Sequence, residues 1–242
     1  MEHSPDTNAD VWKSGEIIAH WTAEAEKRER QRGAAWRFMA ELLAFEDDDA
    51  FTFLDLGAGT GSATKEVLRR YPHSTAILAD FSAQMMDAGK DELAEFAGRF
   101  RYLEFDLTVG GWPAEIPTAL DAIITSMCVH HLPDHRKESL FAEILQRLAP
   151  GSWYVNYDPV TAEDPVVQAL WERVNDHEDP DAAHKKHHRT AEELRRYENH
   201  VRYLIPLDRQ LGYLRAAGFE GVDVYWKRLE NVIYGGRRPA AG

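Results

Sequence analysis

Asp55, Gly57, Gly59 and Gly61 fall within one short stretch, LDLGAGTG (Leu54–Gly61), and their types already restrict the chemistry. Glycines leave no Cβ between backbone and ligand, so a bound group can lie directly on such a loop. A dinucleotide fingerprint that begins at Gly57 would place Ser62 where its last small residue, Gly or Ala, belongs. The acid two residues ahead of Gly57 opposes that reading further, because a pyrophosphate on the following helix N-terminus would be repelled by a neighbouring carboxylate. No Gly-Lys-Ser/Thr follows to make a Walker loop. Asp55 therefore calls for a ligand that brings a cation to this loop and no phosphate. His130 and His131, in LDAIITSMCVHHLPD, offer a group of near-neutral pKa that could accept a proton from an acceptor hydroxyl or amine. Tyr157 and Asp158 follow at the end of SWYVNYD; a strand end before Pro159 explains that pair as well as a role in the site does.

These residues must be placed by elements, and the hydrophobic pattern supplies them. FTFLDL, STAILAD, RFRYLEFD, LDAIITS and SWYVNY read as strands, and they alternate with amphipathic segments at Ala63–Arg70, Ala83–Phe96 and Arg136–Leu148. That alternation predicts βαβ units on a parallel sheet covered on both faces, with ligands at the carboxyl ends of the strands. Pro150 and Gly151 read as a stop between the last of these helices and the fifth strand. Residues 11–45 read as helical, with Trp12, Ile17, Ile18 and Trp21 at helical spacing and Gly33 separating two helices. The polar, histidine-rich stretch 161–205 reads as a helical insertion, and Thr190 with Glu193 forms a capping box for its second helix. The helix RQLGYLRAAGF and the strands GVDVYWKRL and NVIYGGR close the chain as a hairpin.

S-adenosylmethionine carries an α-ammonium group and a sulfonium and has no phosphate, which is what the acid in the glycine loop asks for. LDLGAGTG resembles the first motif of the class I S-adenosylmethionine-dependent methyltransferases. ILADFSAQMM, EFDLT, LDAIITSMCVHHLPD and LQRLAPGSWYVNYD resemble the later motifs of that family in order, with Ser152 where the family usually has a second glycine. The resemblance covers residues 50–160 and, through AGFEGVDVYWKRLENVIYGGR, reaches almost to the C-terminus. It implies a Rossmann-like doubly wound α/β sheet, mostly parallel with a C-terminal antiparallel hairpin. It also implies a division of one domain into a helical lid (11–45), a cofactor core (50–160), a helical cover (161–205) and a closing helix with strands (206–238). By that resemblance Asp55, Gly57, Ala58 and Gly59 hold the methionine tail, and Asp80 takes the ribose hydroxyls. Phe81 and Met85 flank the adenine, Asp106 and the backbone amide of Leu107 meet its edge, and Met127 lies at the end of the fourth strand beside the cofactor. His131 and Tyr157 are the candidate catalytic residues.

The bulk properties narrow the partner. A net charge of −13 disfavours nucleic acid, whose affinity comes from Lys and Arg neutralising phosphates, so a small-molecule acceptor is expected. A lone cysteine, Cys128, forms no internal disulfide and agrees with a cytoplasmic location. The sequence has no long apolar run for a membrane span and leaves a homodimer open. His184 and His188 would share the face of an unbroken helix with His177 and His187 nearby, but Pro180 interrupts the run and no acidic motif accompanies it, so no metal site is assigned. Alternatives to methyl transfer are an enzyme that modifies S-adenosylmethionine itself, like carboxy-S-adenosylmethionine synthase, and a catalytically idle S-adenosylmethionine-binding partner protein. A NAD-dependent reductase is more remote.

Overall fold

A computed structural model describes residues 25–241; the expected helix around Trp12 and Trp21 lies outside them. The described chain begins with α1 (Ala25–Glu41), which buries Trp36, Met39, Ala40 and, just past its end, Leu43 at the three- and four-residue spacing of one helical face. Then follow β1 (Thr52–Leu56), α2 (Ser62–Arg70), β2 (Thr75–Asp80), α3 (Ala83–Glu92), β3 (Phe100–Glu104), β4 (Leu120–Ser126), α4 (Asp134–Arg147) and β5 (Leu148–Pro159). Three helices come next, α5 (Pro165–Glu178), α6 (Pro180–His187) and α7 (Ala191–Val201), before α8 (Leu207–Ala217), β6 (Glu220–Arg228) and β7 (Asn231–Arg237).

The strands form one seven-stranded sheet in the order β3-β2-β1-β4-β5-β7-β6. β1 pairs in parallel with β2 and β4, β2 with β3, and β4 with β5, whereas β7 runs antiparallel to both β5 and β6. The order reverses at β1, so β1 and β4 part at their carboxyl ends and leave a crevice there. Alternate residues of β1 face opposite sides. Leu54 and Leu56 join the cluster under α4 and α8, which contribute Leu140, Phe141, Ile144, Leu211 and Leu214. Phe53 joins the cluster under α1 and α2 with Trp36, Met39, Val67 and Leu68. Two-sided burial explains why the central strands read as nearly unbroken apolar runs.

A polar chain runs through the sheet interior. The Tyr154 hydroxyl and Thr125 Oγ1 are 2.8 Å apart, Thr125 Oγ1 donates to Asn156 Oδ1, Asn156 Nδ2 donates to the Tyr234 hydroxyl at 2.7 Å, and that hydroxyl donates to Gln210 Oε1 at 2.9 Å. Every link is buried, so each satisfied partner saves the cost of an unpaired polar group and ties β4, β5, β7 and α8 in one register.

Two expectations need correction. Gly33 does not separate two helices: α1 passes through it, with the Glu29 side chain packed over the glycine and bonded to Arg37. Pro150 and Gly151 do not form a stop ahead of the strand. The backbone turns extended at Leu148, which already pairs with Leu120, and the Pro-Gly step is absorbed where the register shifts between Leu120 and Ala122. Pro180 interrupts the helical run as expected: α5 ends at Glu178 and Pro180 opens α6, at the first-turn position where a missing N–H costs nothing. The capping box forms as expected, with Thr190 Oγ1 accepting from the Glu193 N–H and Glu193 accepting from the Thr190 N–H.

Candidate functional site

β1 ends in a turn held by β2: the N–H groups of Gly57 and Ala58 both donate to the Ala79 carbonyl, at 2.8 and 3.2 Å. Gly57, Gly59 and Gly61 all take positive φ, at 68°, 54° and 80°, a region that costs a residue with a Cβ about 1–2 kcal/mol. The turn exposes a cleft at the crevice between β1 and β4. Its wall includes Asp55, Gly57, Ala58, Gly59, Asp80, Phe81, Met85, Asp106, Leu107, Met127 and His131. Every cofactor residue expected from the sequence is therefore brought to one place.

The two acids differ in their surroundings. Asp80 is buried, and its carboxylate accepts the Gly59 N–H at 2.8 Å through one oxygen and the Ser82 N–H at 2.9 Å through the other. The Phe81 backbone also faces this carboxylate, which keeps acceptor capacity beyond these bonds. Ser82, rather than Asp80, caps α3 by accepting the Met85 N–H. Asp55 is also buried; Thr64 Oγ1 of α2 donates to its Oδ2 at 2.7 Å, while Oδ1 has no hydrogen-bond partner among the described residues. A buried carboxylate oxygen without a donor is costly. Burial, with the Asp80 charge adding to it against the Thr64 hydrogen bond, raises Asp55 from 3.8 to about 7.

Asp106 is half-buried and uses Oδ1 to accept both the backbone N–H and the hydroxyl of Thr108, at 2.8 and 2.7 Å. It thus serves as a turn residue with one oxygen left over. Met127 adopts a positive φ of 55° with its N–H bonded to the Tyr157 carbonyl at 2.8 Å. Left-handed backbone at a non-glycine residue is uncommon and clusters at ligand sites.

His131 is half-buried in the cleft wall, and burial holds its ring well below the ordinary histidine range, so it is neutral. His130 is fully buried behind it: Asp158 accepts the His130 N–H through Oδ2 and lies 2.7 Å from His130 Nδ1 through Oδ1. Burial disfavours charge on the His130 ring and raises Asp158. Tyr157 does not reach the cleft wall: it is buried in the core cluster of Trp36, Ile124 and Ile233, edge-on to Trp226.

Four contributors were missed in the sequence. Arg32 and Trp36 of α1 line the cleft, Trp36 donating through Nε1 to Ser126 Oγ at 2.9 Å across the sheet end; the helical spacing of Trp36 with Met39, Ala40 and Leu43 was the available signal. Cys128 packs under Gly57, and His200 reaches His130 from α7, both through long-range contacts that no local pattern encodes.

Known proteins resemble this chain in sequence and fold. Residues 53–151 match the model of a methyltransferase domain family. A trans-aconitate 2-methyltransferase of Azoarcus sp. (strain BH72) is 30% identical over 118 residues, covering 49% of this chain and 43% of that protein, so the matched stretch spans about half the length of each. The structure of an O-methyltransferase family protein from Burkholderia thailandensis superposes with a TM-score of 0.73 at 18% identity, over 99% of this chain and 65% of that one. Human N-acetylserotonin methyltransferase in complex with S-adenosylmethionine gives 0.65 at 15% identity, over 96% and 59%. The matched stretch holds the glycine turn with its acid and so resembles a methyltransferase domain, while the fold as a whole is similar to that of these two solved methyltransferases.

Proposed function

We propose that the chain transfers a methyl group from S-adenosylmethionine to a hydroxyl of a small-molecule acceptor. The observation that carries the cofactor's orientation is Asp55 Oδ1, buried in the cleft wall without a donor, where an α-ammonium group would satisfy it. Asp80 would take the ribose diol, Phe81 and Met85 would sandwich the adenine, and Asp106 with the Leu107 N–H would meet its edge. When bound, the cofactor supplies an electrophilic methyl on a sulfonium that departs as a neutral thioether. The protein's part is alignment: α1, through Arg32 and Trp36, closes the cleft on one side, and holding the acceptor oxygen in line can supply much of the rate. The helices of 161–205 would cover the acceptor as part of the same domain, whose organisation follows the division into lid, core, cover and closing strands. An oxygen acceptor is favoured by the named activities of the relatives, and the acidic surface keeps nucleic acid unfavourable. The unpaired Cys128 fits a cytoplasmic enzyme.

Neutral His131 is placed to take the proton that a hydroxyl acceptor loses. His131→Ala is expected to lower kcat by about 10²-fold or more, the usual range for a general base, while S-adenosylhomocysteine affinity stays within about twofold of the parent. Steady-state kinetics beside titration calorimetry checks both; an unchanged kcat would remove His131 from the mechanism.

Asp55 makes cofactor affinity depend on pH. A cation beside Oδ1 lowers the carboxyl's pKa in the complex below its unliganded value of about 7, so binding favours the ionised form. Affinity is fully expressed above that value and falls by up to about tenfold per pH unit below it. The unliganded chain shows the opposite trend. Its Asp55 holds a proton more tightly than the unfolded chain does (3.8), so this group's contribution to stability is full below 3.8 and is lost as pH rises through about 7. Calorimetric titrations across that range are expected to show proton release on binding below neutrality in the parent and none attributable to this site in Asp55→Asn. A pH-independent affinity in the parent would contradict the assignment of Oδ1 to the ammonium.

For the function as a whole, a panel of hydroxy acids, phenols and carboxylic acids with labelled cofactor is the decisive screen. Binding of NADH with no binding of S-adenosylhomocysteine would overturn the reading.

A further inference from the structure

Three histidines from distant parts of the chain converge beside the cofactor cleft. His130 and His131 lie on the turn after β4, and His200 lies on α7. The ring centroids are 3.8 Å apart for His130 and His131, 4.7 Å for His130 and His200, and 5.5 Å for His131 and His200. One ring nitrogen from each lies within 4.8 Å of the others, and His130 Nε2 is 3.2 Å from His200 Nδ1. Two imidazole nitrogens on one tetrahedral Zn²⁺, each at roughly 2.0–2.1 Å, stand about 3.3 Å apart. The observed pair already has that separation, and only His131 has to move inward.

The second nitrogen of His130 is held by Asp158, which also accepts the His130 N–H. A carboxylate on the far nitrogen fixes ring orientation and raises basicity, the usual outer partner of a metal-bound histidine. From this convergence we propose that His130, His131 and His200 form a site for one first-row divalent transition-metal ion, Zn²⁺ or Co²⁺ in chemical class, with Asp158 as the outer partner of His130. The donor set excludes hard cations, since three imidazoles with no carboxylate in the inner set offer little to Mg²⁺ or Ca²⁺. The charges facing the cluster sharpen that selectivity. Arg32 and Lys137 act on the rings from α1 and α4, with Asp158 opposing them from β5, so an ion held by charge alone would gain nothing there.

Three ligands leave one tetrahedral position. His131 also lines the cleft, so that position is open to an acceptor hydroxyl, whose deprotonation the ion would assist in place of a free imidazole. This last extension rests on the methyltransferase reading; the metal site does not.

The test is titration of chelator-stripped protein with Co²⁺, without cofactor or acceptor, followed by visible absorption. One equivalent per chain with the intense bands of four-coordinate cobalt is expected, displaced by Zn²⁺ and untouched by excess Mg²⁺. His200→Ala should weaken binding at least about tenfold yet keep its affinity for S-adenosylhomocysteine, while the exposed His177→Ala should match the parent. No stoichiometric uptake, or uptake unaffected by His200→Ala, would overturn the site and leave the three rings as a hydrogen-bonded cluster that pins α7 to the sheet. Because the readout needs no methyl transfer, its failure would leave the proposed activity standing, and a failed acceptor screen would leave the site standing.

Discussion

Asp80→Ala is expected to weaken S-adenosylmethionine binding by roughly 10²–10⁴-fold while the protein stays folded. The carboxylate joins two functions: it accepts the Gly59 and Ser82 N–H groups, which shapes the glycine turn, and it keeps acceptor capacity for a diol. Hydrogen bonds to a charged group contribute about 1.5–3 kcal/mol each, so losing two to the ligand sets the range. The fold should tolerate the change because burial raises Asp80 above the ordinary carboxylate value; its charge is a burden on the empty protein rather than a support. Calorimetry with S-adenosylhomocysteine and a thermal melt of the same sample give both halves of the result. Asp80→Asn, with one acceptor oxygen kept, should fall between the two. Parent-like affinity in the alanine variant would place the ribose elsewhere.

Gly57→Ala should harm both stability and binding. The residue sits at φ 68°, and a Cβ there would lie 2.0 Å from Cys128 Sγ and 2.7 Å from Cys128 Cβ. The left-handed backbone alone costs about 1–2 kcal/mol, and overpacking adds typically 1–3 kcal/mol. For a chain of this size that corresponds to a drop in Tm of roughly 5–15 °C. Because Cys128 is itself part of the cleft wall, any shift that relieves the overlap also displaces the wall, so cofactor affinity should fall at least about tenfold. Combining Gly57→Ala with Cys128→Gly removes the overlap but not the backbone cost, and should recover part of the loss in Tm. A parent-like melt for the single variant would mean that the turn is not built as described.

Much of this was legible in the sequence because it is local. The glycine turn, the acids at the ends of β1 and β2 and the alternation of strand and helix depend on residues near one another, and each appeared where its spacing put it. The polar stretch 161–205 resolved into three helices, and α5 is opened by an Asp164 cap with Pro165 in its first turn, a signal that was present and unread. What could not be read depends on pairs brought together from afar. Trp36 meets Ser126, and His200 meets His130, because α1 packs on β5 and α7 on the turn after β4. Tyr157 shows the converse: its position at the end of β5 suggested the cleft, but strand alternation turns its side chain into the core, and only its carbonyl reaches Met127.

The excursion between β5 and α8 leaves and returns at one point: Thr161 bridges to Pro206 in parallel, and its N–H donates to the Ile205 carbonyl at 3.2 Å. A segment whose two ends already touch imposes no separation on the elements it joins, and the entropy of closing such a loop grows only slowly with its length. The excursion is in that sense an exchangeable cassette. Helices could be lengthened, lost or replaced there without disturbing the register of any strand, and the cover over the cleft could diverge while the glycine turn stayed as it is.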